Sequence, residues 1–575
     1  MRISPFYLFS IVFLLIQDVS TLPLNYLQKS AILAEVPRPI TSYEDAERPF
    51  LALLGKLSPF QLAKVLSHDK NNRWFSSVFR DDNSEQVITE GVKSKVESSN
   101  TEFEMWLGEQ KDRAFERILE NIGGSRCHDK SVAPGAVLAS PSKIRPNYFY
   151  QWVRDAAITV NSLVEYLDDH LFEDPVMYNL QATIEAYIIN SYKLQRLANP
   201  SGGFKTLAGL GEPKFMPDST PFNGPWGRPQ RDGPGLRVIT IANYIDLLDK
   251  YQKNFTTPEL LSQGSQFVFD KIIKPDLSYI IKYWSSTGFD LWEEVDSIHL
   301  FTSLTQLKAL KIGLNLADRF GDSELHKKLV IAFNSLRFFI SVDSGFKPSR
   351  IPYLIETPSL VIQGRRSGLD IASVLASLRA HDIDDSEDTV YIPFPITDAA
   401  VMNTLIALMD DMKYRYPINH ELLGISSGYA LGRYPEDIYD GYGISEGNPW
   451  FISTATASEL IYKLVYNLYK LRKGLEIQPE QSQLFAYISS LPTSAKTIHI
   501  PYNSQAFKSV TASLIDYADT FLAIIRKHVD AEGHMSEQFN KYSGYLEGAE
   551  DLTWSYGSFW SSLRWRSKAL ELMSS

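Results

Sequence analysis

Apolar residues recur at helical spacing through most of the chain beyond residue 100. Leu180, Ile184, Tyr187, Ile188, Ser191 and Leu194 fall on one face at the 3.6-residue period of an amphipathic helix. Val401, Leu405, Leu408 and Met412 repeat the stripe, as do Leu460, Leu464, Leu468 and Leu471, and again Leu514, Ala518, Phe521, Leu522 and Ile525. Strand-like alternation is scarce, with Thr497 to Ile500 the one short candidate. Between the helical stretches run long loops rich in Gly, Pro, Trp and acidic residues, among them Gly209 to Gly235, Trp284 to Glu294 and Gly432 to Trp450. Helices alternating with decorated loops predict an all-α scaffold that carries its chemistry on the loops.

The first hundred residues read differently. Arg2, the apolar run Phe6 to Ile16 and the small residues Ser20 and Thr21 have the layout of a secretory signal over residues 1–21, too short to span a bilayer. Residues 22–100 contain one tryptophan, Trp74, and a polar stretch from Arg80 to Asn100, which predicts an extension or linker of unknown role ahead of one helix-rich domain at 101–575. No cluster of aromatics is visible there. With the signal removed, the expectation is a secreted or vacuolar protein that leaves the membrane and works as a monomer. Asn254-Phe255-Thr256 is then a glycosylation sequon. Cys127 is the single cysteine, so no intrachain disulfide can form, and core packing must supply the stability.

Charge narrows the partners. A net charge of −11 without a Lys/Arg cluster makes nucleic acid a poor ligand. Aromatic residues reach 12%, enough to offer stacking faces to sugar rings as well as to fill a large core.

Candidate chemistry concentrates in the loops. Asp290-Leu291-Trp292-Glu293-Glu294 sets two carboxylates after an indole, and Ser536-Glu537-Gln538-Phe539 supplies a third far downstream. Cleaving a glycosidic bond requires one carboxyl that gives a proton to the leaving oxygen and another, ionised, that attacks the sugar or activates water. An indole beside a glutamate is expected to strip its solvation and favour the protonated acid. Arg154-Asp155, after the aromatic cluster Tyr148 to Trp152, offers donors and an acceptor for two sugar hydroxyls. The loops from Trp226 to Pro234, Gly432 to Asp437, Gly447 to Trp450 and Asp551 to Tyr556 add rigid turns, charges and stacking faces. These residues point to a glycosidase.

Taken in order, the blocks YFYQWVRD from Tyr148, GLGEPKF from Gly209, WGRPQRDGP from Trp226, STGFDLWEE from Ser286, GRYPED from Gly432, GNPW from Gly447, SEQFNKYSG from Ser536 and DLTWSY from Asp551 resemble the glucoamylases of glycoside hydrolase family 15, from about Phe103 onward. The form of the loop GYGISEGNPW looks like the yeast-type branch. The resemblance implies an (α/α)6 barrel, two concentric rings of six helices with the active site at one mouth. It implies an inverting exo-hydrolase that frees β-glucose from the non-reducing ends of α-1,4-glucans such as starch, glycogen or maltodextrins. Glu293 matches the general acid and Glu537 the general base. Glu294 matches a carboxylate on the leaving-group side, Arg154 and Asp155 the pair that grips the terminal glucose, and Tyr148, Trp226, Trp292, Arg433 and Trp554 the lining of the sugar subsites. Neither metal nor organic cofactor is required by this chemistry.

Two alternatives share the scaffold: a silent glucan-binding protein, which would be expected to lack one of the carboxylates, and another inverting enzyme such as a trehalase. Glu550 is a departure, adding a charge near the base segment that is expected to act on its pKa. The acidic run Asp382, Asp384, Asp385, Glu387 and Asp388 lacks the ligand order of a calcium loop and reads as a solvated loop.

Overall fold

The computed structural model describes residues 85–96, 101–383 and 390–575. The signal reading, Trp74 and Asp384 to Asp388 lie outside them. Twelve of the helices among the described residues alternate, in chain order, between an outer and an inner ring. The outer set is α1 (Thr101–Glu120), α3 (Leu180–Arg196), α5 (Lys274–Tyr283), α7 (Ser323–Phe338), α9 (Ala399–Arg415) and α11 (Gln505–His528). The inner set is α2 (Val153–Asp169), α4 (Gly233–Lys250), α6 (Leu300–Arg319), α8 (Ile371–Ala380), α10 (Phe451–Leu471) and α12 (Thr553–Ser574). Each inner helix packs on the next and α12 returns to α2, so the ring closes into an (α/α)6 barrel.

The two rings differ in how their sequences are buried. Outer helices carry the single apolar stripe that periodicity reveals: Leu180, Ile184, Tyr187, Ile188, Ser191 and Leu194 of α3 are all buried. Inner helices are covered on every side and use small polar residues where they face one another across the axis. In α10 the side chains of Ser453, Thr454, Thr456, Ser458 and Glu459 are as buried as its leucines. The Ser458 and Ser562 hydroxyls meet at 2.7 Å between α10 and α12, and Thr454 returns its hydroxyl to the Trp450 carbonyl at 3.0 Å. Burial of these groups is tolerated because all but the Ser453 hydroxyl find a partner. Charged residues bind the far half of the barrel: Arg564 of α12 holds Asp169 of α2 at 2.6 Å, and Arg379 of α8 holds Glu459 at 3.2 Å.

The inner helices all start at the same end. Their entry residues are Trp152, Asp232, His299, Asp370, Trp450 and Leu552, and it is the loops leading to them that carry the predicted chemistry. Asp232 caps α4 through the Gly233 N–H (2.9 Å), which starts that helix three residues before Leu236, and Asp370 caps α8 through the Ala372 N–H (2.8 Å). Six converging N-termini present partial positive charge to the mouth, a setting that favours carboxylates.

Short antiparallel ladders brace these loops: β2 (Gln151–Trp152) with β3 (Lys214–Phe215), β4 (Gly288–Phe289) with β5 (Asp296–Ser297), and β8 (Gln538–Phe539) with β9 (Leu546–Glu547). A three-stranded sheet lies at the opposite end, where α10 finishes and α11 begins. In it β7 (Thr497–Ile500), the strand read from sequence, pairs antiparallel with β6 (Leu475–Ile477) and parallel with β1 (Glu85–Val87). Residues 85–96, part of the polar stretch read as linker, are therefore laid along the barrel. Lys95 donates its N–H to the Ile488 carbonyl (3.1 Å) and its ammonium to the Ala486 carbonyl (2.7 Å).

Candidate active site

Glu293 and Glu294 occupy the tip of the β4–β5 hairpin, just ahead of α6. Asp290 shapes that tip: its Oδ1 accepts the N–H groups of Glu294 and Val295 (2.7 Å each), and its carbonyl accepts that of Glu293 (3.0 Å). Glu293 itself has φ +69°, a left-handed conformation that a side chain adopts at a cost and that points to a position fixed by its surroundings. Its Oε1 accepts from Trp152 Nε1 at 2.5 Å and Gln230 Nε2 at 2.9 Å, with Arg154 Nη2 at 3.9 Å. With Oε1 occupied by donors, a proton on this carboxyl belongs on Oε2.

The indole that meets Glu293 is thus Trp152. Trp292, the residue expected from its adjacency to fill that role, turns its N–H onto both oxygens of Asp370 (3.0 and 3.1 Å) and packs its ring on Trp450 and Trp554. Neighbouring side chains on a hairpin tip diverge, so closeness in sequence misassigned the contact.

Glu537 stands at the root of the β8–β9 hairpin ahead of α12, its N–H on the Ala549 carbonyl (2.9 Å). Gly548, at φ +75°, passes so close that a Cβ there would lie 2.4 Å from Glu537 Oε2, which makes glycine necessary. Burial pushes the carboxyl up to about 7 against the opposing effects of the Tyr148 hydroxyl, the Arg433 charge and the Tyr439 hydroxyl, which donates to Oε2 at 3.2 Å. Tyr148 and Tyr439 join hydroxyls at 3.0 Å, and Tyr148 feels the charge of both Glu537 and Glu293, so it sits between the two. Glu550 is exposed and is not among the groups that act most strongly on Glu537.

Glu294 belongs to a different cluster. Burial works to raise it, but Arg433 (2.8 Å), Tyr434 and Arg366 (2.7 Å) outweigh burial and hold it below the usual glutamate range. Arg433 is buried, bidentate on Asp437 (2.8 and 2.7 Å), and ringed by Trp292, Tyr434, Tyr439 and Trp450.

Arg154 and Asp155 open α2 on the other side. Arg154 Nη1 donates to Gln230 Oε1 (2.8 Å) and Asp232 Oδ2 (3.0 Å), and its guanidinium lies over Trp554. Burial raises Asp155 to about 6; Arg154 opposes this, while Glu293 and Asp232 add to it. Arg154 Nε and Asp155 Oδ2 form a buried ion pair at 3.4 Å without a hydrogen bond, and the buried indole N–H groups of Trp226 and Trp554 also lack a protein hydrogen bond. Buried polar atoms without a hydrogen bond are rare in a folded core, and four in one pocket are suited to a ligand bearing several hydroxyls.

The structure therefore brings Glu293, Glu537, Glu294, Tyr148, Arg154, Asp155, Trp226, Trp292, Arg433 and Trp554 to one mouth. Asn254 is an exposed residue elsewhere. Trp152, Gln230, Tyr439, Asp370 and Lys214 also belong to the mouth and escaped the residue-level reading, although Trp152, Lys214 and Gln230 lie within the quoted blocks. Cys127 is buried, its thiol pushed up by burial, in a small cluster of its own. Among the described residues, Asp530, Glu532 and His534 bring three ligand atoms together, on a turn where His534 is already engaged by Asp530 (2.7 Å) and Arg117 (3.1 Å).

A closed double ring of helices whose mouth holds carboxyls, stacking faces and buried polar groups without a hydrogen bond defines a glycoside hydrolase of the (α/α)6 class. Residues 113–563 match the family described as glycosyl hydrolases family 15, and the chain belongs to that family. It is 38% identical over 493 residues to a glucoamylase of Saccharomycopsis fibuligera, spanning 83% of this chain and 93% of that one. It is 39% identical over 486 residues to an intracellular sporulation-specific glucoamylase of Saccharomyces cerevisiae, spanning 82% and 85%. Among solved structures, a Saccharomycopsis fibuligera glucoamylase superposes with TM-score 0.76 at 36% identity, covering 84% of this chain and 99% of that one. A Hypocrea jecorina glucoamylase superposes with TM-score 0.69 at 32% identity, covering 81% and 72%.

Proposed function

We propose that this protein is an exo-acting glucan 1,4-α-glucosidase that inverts the anomeric centre and releases β-glucose from the non-reducing ends of α-1,4-glucans. Its relatives named glucoamylase and its family support the activity. The observation that carries the assignment of the pocket is the buried Arg154–Asp155 ion pair beside Glu293, whose Nε and Oδ2 stand 3.4 Å apart and make no hydrogen bond. A terminal glucose offers vicinal hydroxyls that donate and accept, and it would satisfy both atoms at once.

In this reading Glu293 Oε2 gives its proton to the glycosidic oxygen, with Oε1 held by Trp152 and Gln230. Glu537, oriented by Tyr439 and Tyr148, takes a proton from the water that attacks C1 from the opposite face. Inversion requires the two carboxyls to stand roughly 6.5–9.5 Å apart, leaving room for that water. Glu294 and Arg433 bind the sugar on the leaving-group side. All of these groups come from one chain, so a monomer suffices.

Proton NMR of maltoheptaose digestion tests this. Early β-glucose, with the chain shortening one unit at a time, is expected from the wild type. E293Q and E537Q should each lose on the order of 10²–10⁴-fold in kcat. Early α-glucose would remove the water-activating role from Glu537. We also infer entry into the secretory route, on the strength of the signal layout in residues 1–21, with Asn254 exposed for glycosylation. Whether the protein is then released or retained in a vacuole is a matter for fractionation.

A further inference from the structure

Lys214 is the most unusual side chain at the mouth, because its ammonium is buried among rings. It stands directly across from Trp152 in the β2–β3 ladder, so the two side chains share one face of that ladder. Its Nζ lies 3.4 Å from the ring centre of Trp226, 4.1 Å from Tyr150, 4.4 Å from Trp152 and 4.5 Å from Phe222. The residue is 2% exposed, and among the described residues no carboxylate comes within ion-pair distance of it. A lysine that only needed neutralising would be paired; this one is held as a free charge by the faces of four aromatic rings.

Two of those rings belong to the site. Trp152 gives its N–H to Glu293 Oε1, and Trp226 carries an unpaired indole N–H. Resting on Glu293 being the general acid, we propose that Lys214 is a positioning residue for that acid: its charge fixes the Trp152 and Trp226 rings and stabilises the carboxylate that Glu293 becomes once its proton passes to the glycosidic oxygen. The proton leaves Oε2, the negative charge stays on Glu293, and Lys214 faces it with Trp152 between. Burial lowers the Lys214 ammonium to about 8, the Glu293 charge opposing and the Arg228 charge adding, so the cation persists across the acidic range. The other charged groups that face Glu293 are Arg154, Asp155 and Asp232, and those around Lys214 include Arg228, itself engaged by Glu212 at 3.0 Å.

The test compares K214M, K214Q and K214R with wild type and E293Q on maltose, following kcat, KM and the pH profile of kcat/KM, with near-UV circular dichroism as the check on packing. In the neutral variants kcat should fall about tenfold at little change in KM, and the basic limb should move upward by roughly 0.5–1 pH unit, because the conjugate base of the acid loses its cation. K214R should keep the limb where it is. Wild-type kcat and limb in K214M would overturn the proposal. So would equal losses in all three variants with the limb unmoved, which would assign Lys214 to filling space. Failure of both neutral variants to fold while K214R behaves as wild type would also overturn it, the charge then serving the fold. E293Q separates the two readings: if it stays active, the acid assignment itself falls; if it is dead and K214M is normal, only the role of Lys214 falls.

Discussion

Glu293 pays for its position in backbone strain. Its φ of +69° is one that glycines such as Gly264 and Gly321 adopt freely, and replacing it with glycine should release on the order of 1 kcal/mol while abolishing proton donation. The expected E293G protein unfolds at higher denaturant than wild type and turns over no maltose; lower stability would mean that the hydrogen bonds from Trp152 and Gln230 outweigh the strain. On the other side of the pocket, Tyr439 donates to Glu537 and so favours its ionised form. The base must be ionised to act, so kcat/KM rises as pH climbs through its pKa. Y439F removes that donor, raises the pKa and should shift the acid limb to higher pH; an unmoved limb would show that Glu537 does not set it. The acidic and aromatic residues of this site were legible because their types and order are distinctive in sequence. The contact made by Trp152 was not, since which of two nearby indoles reaches Glu293 depends on the hairpin that turns Trp292 toward Asp370.

At the scale of elements, outer helices announced themselves and inner ones did so only in part. The stripe of α3 is a one-faced pattern because one face meets the core. The α10 pattern is blurred because its Ser, Thr and Glu residues are buried against other helices, where hydroxyl pairs replace the apolar contacts that periodicity detects. The β1 strand was illegible for another reason. Its polar residues pair through the backbone with β7, and main-chain pairing leaves little trace in side-chain pattern. Deleting everything before Thr101 would leave β7 an open edge and remove several hydrogen bonds worth on the order of 1 kcal/mol each. The truncated protein should melt earlier and aggregate more readily on heating, with kcat/KM at low temperature unchanged; an identical melting curve would mean that the strap is dispensable.

Several buried carboxyls gather at one end of the molecule, where six helix N-termini meet. Burial raises Asp155 to about 6, Glu537 to about 7 and Asp370 to about 8, all above the ordinary carboxylate value in an unfolded chain. The folded protein thus holds protons that the unfolded chain releases, and these groups contribute stability that is fully present below about pH 4 and is lost as pH rises from there through 6 to 8. His299 and His528, pushed down by burial, act in the opposite sense as pH falls below 6.5. Glu294, held low by its arginines, loses its contribution at still lower pH. Calorimetry across pH should find the highest melting temperature near about pH 4–5 and a decline toward pH 8; a melting temperature that rises toward pH 8 would contradict the protonated state of these carboxyls. The strand β1, finally, joins the barrel on the side away from the mouth. A support or carrier coupled ahead of Glu85 would hold the molecule with its opening turned outward, so that an immobilised preparation could still admit the free ends of polymers far larger than itself.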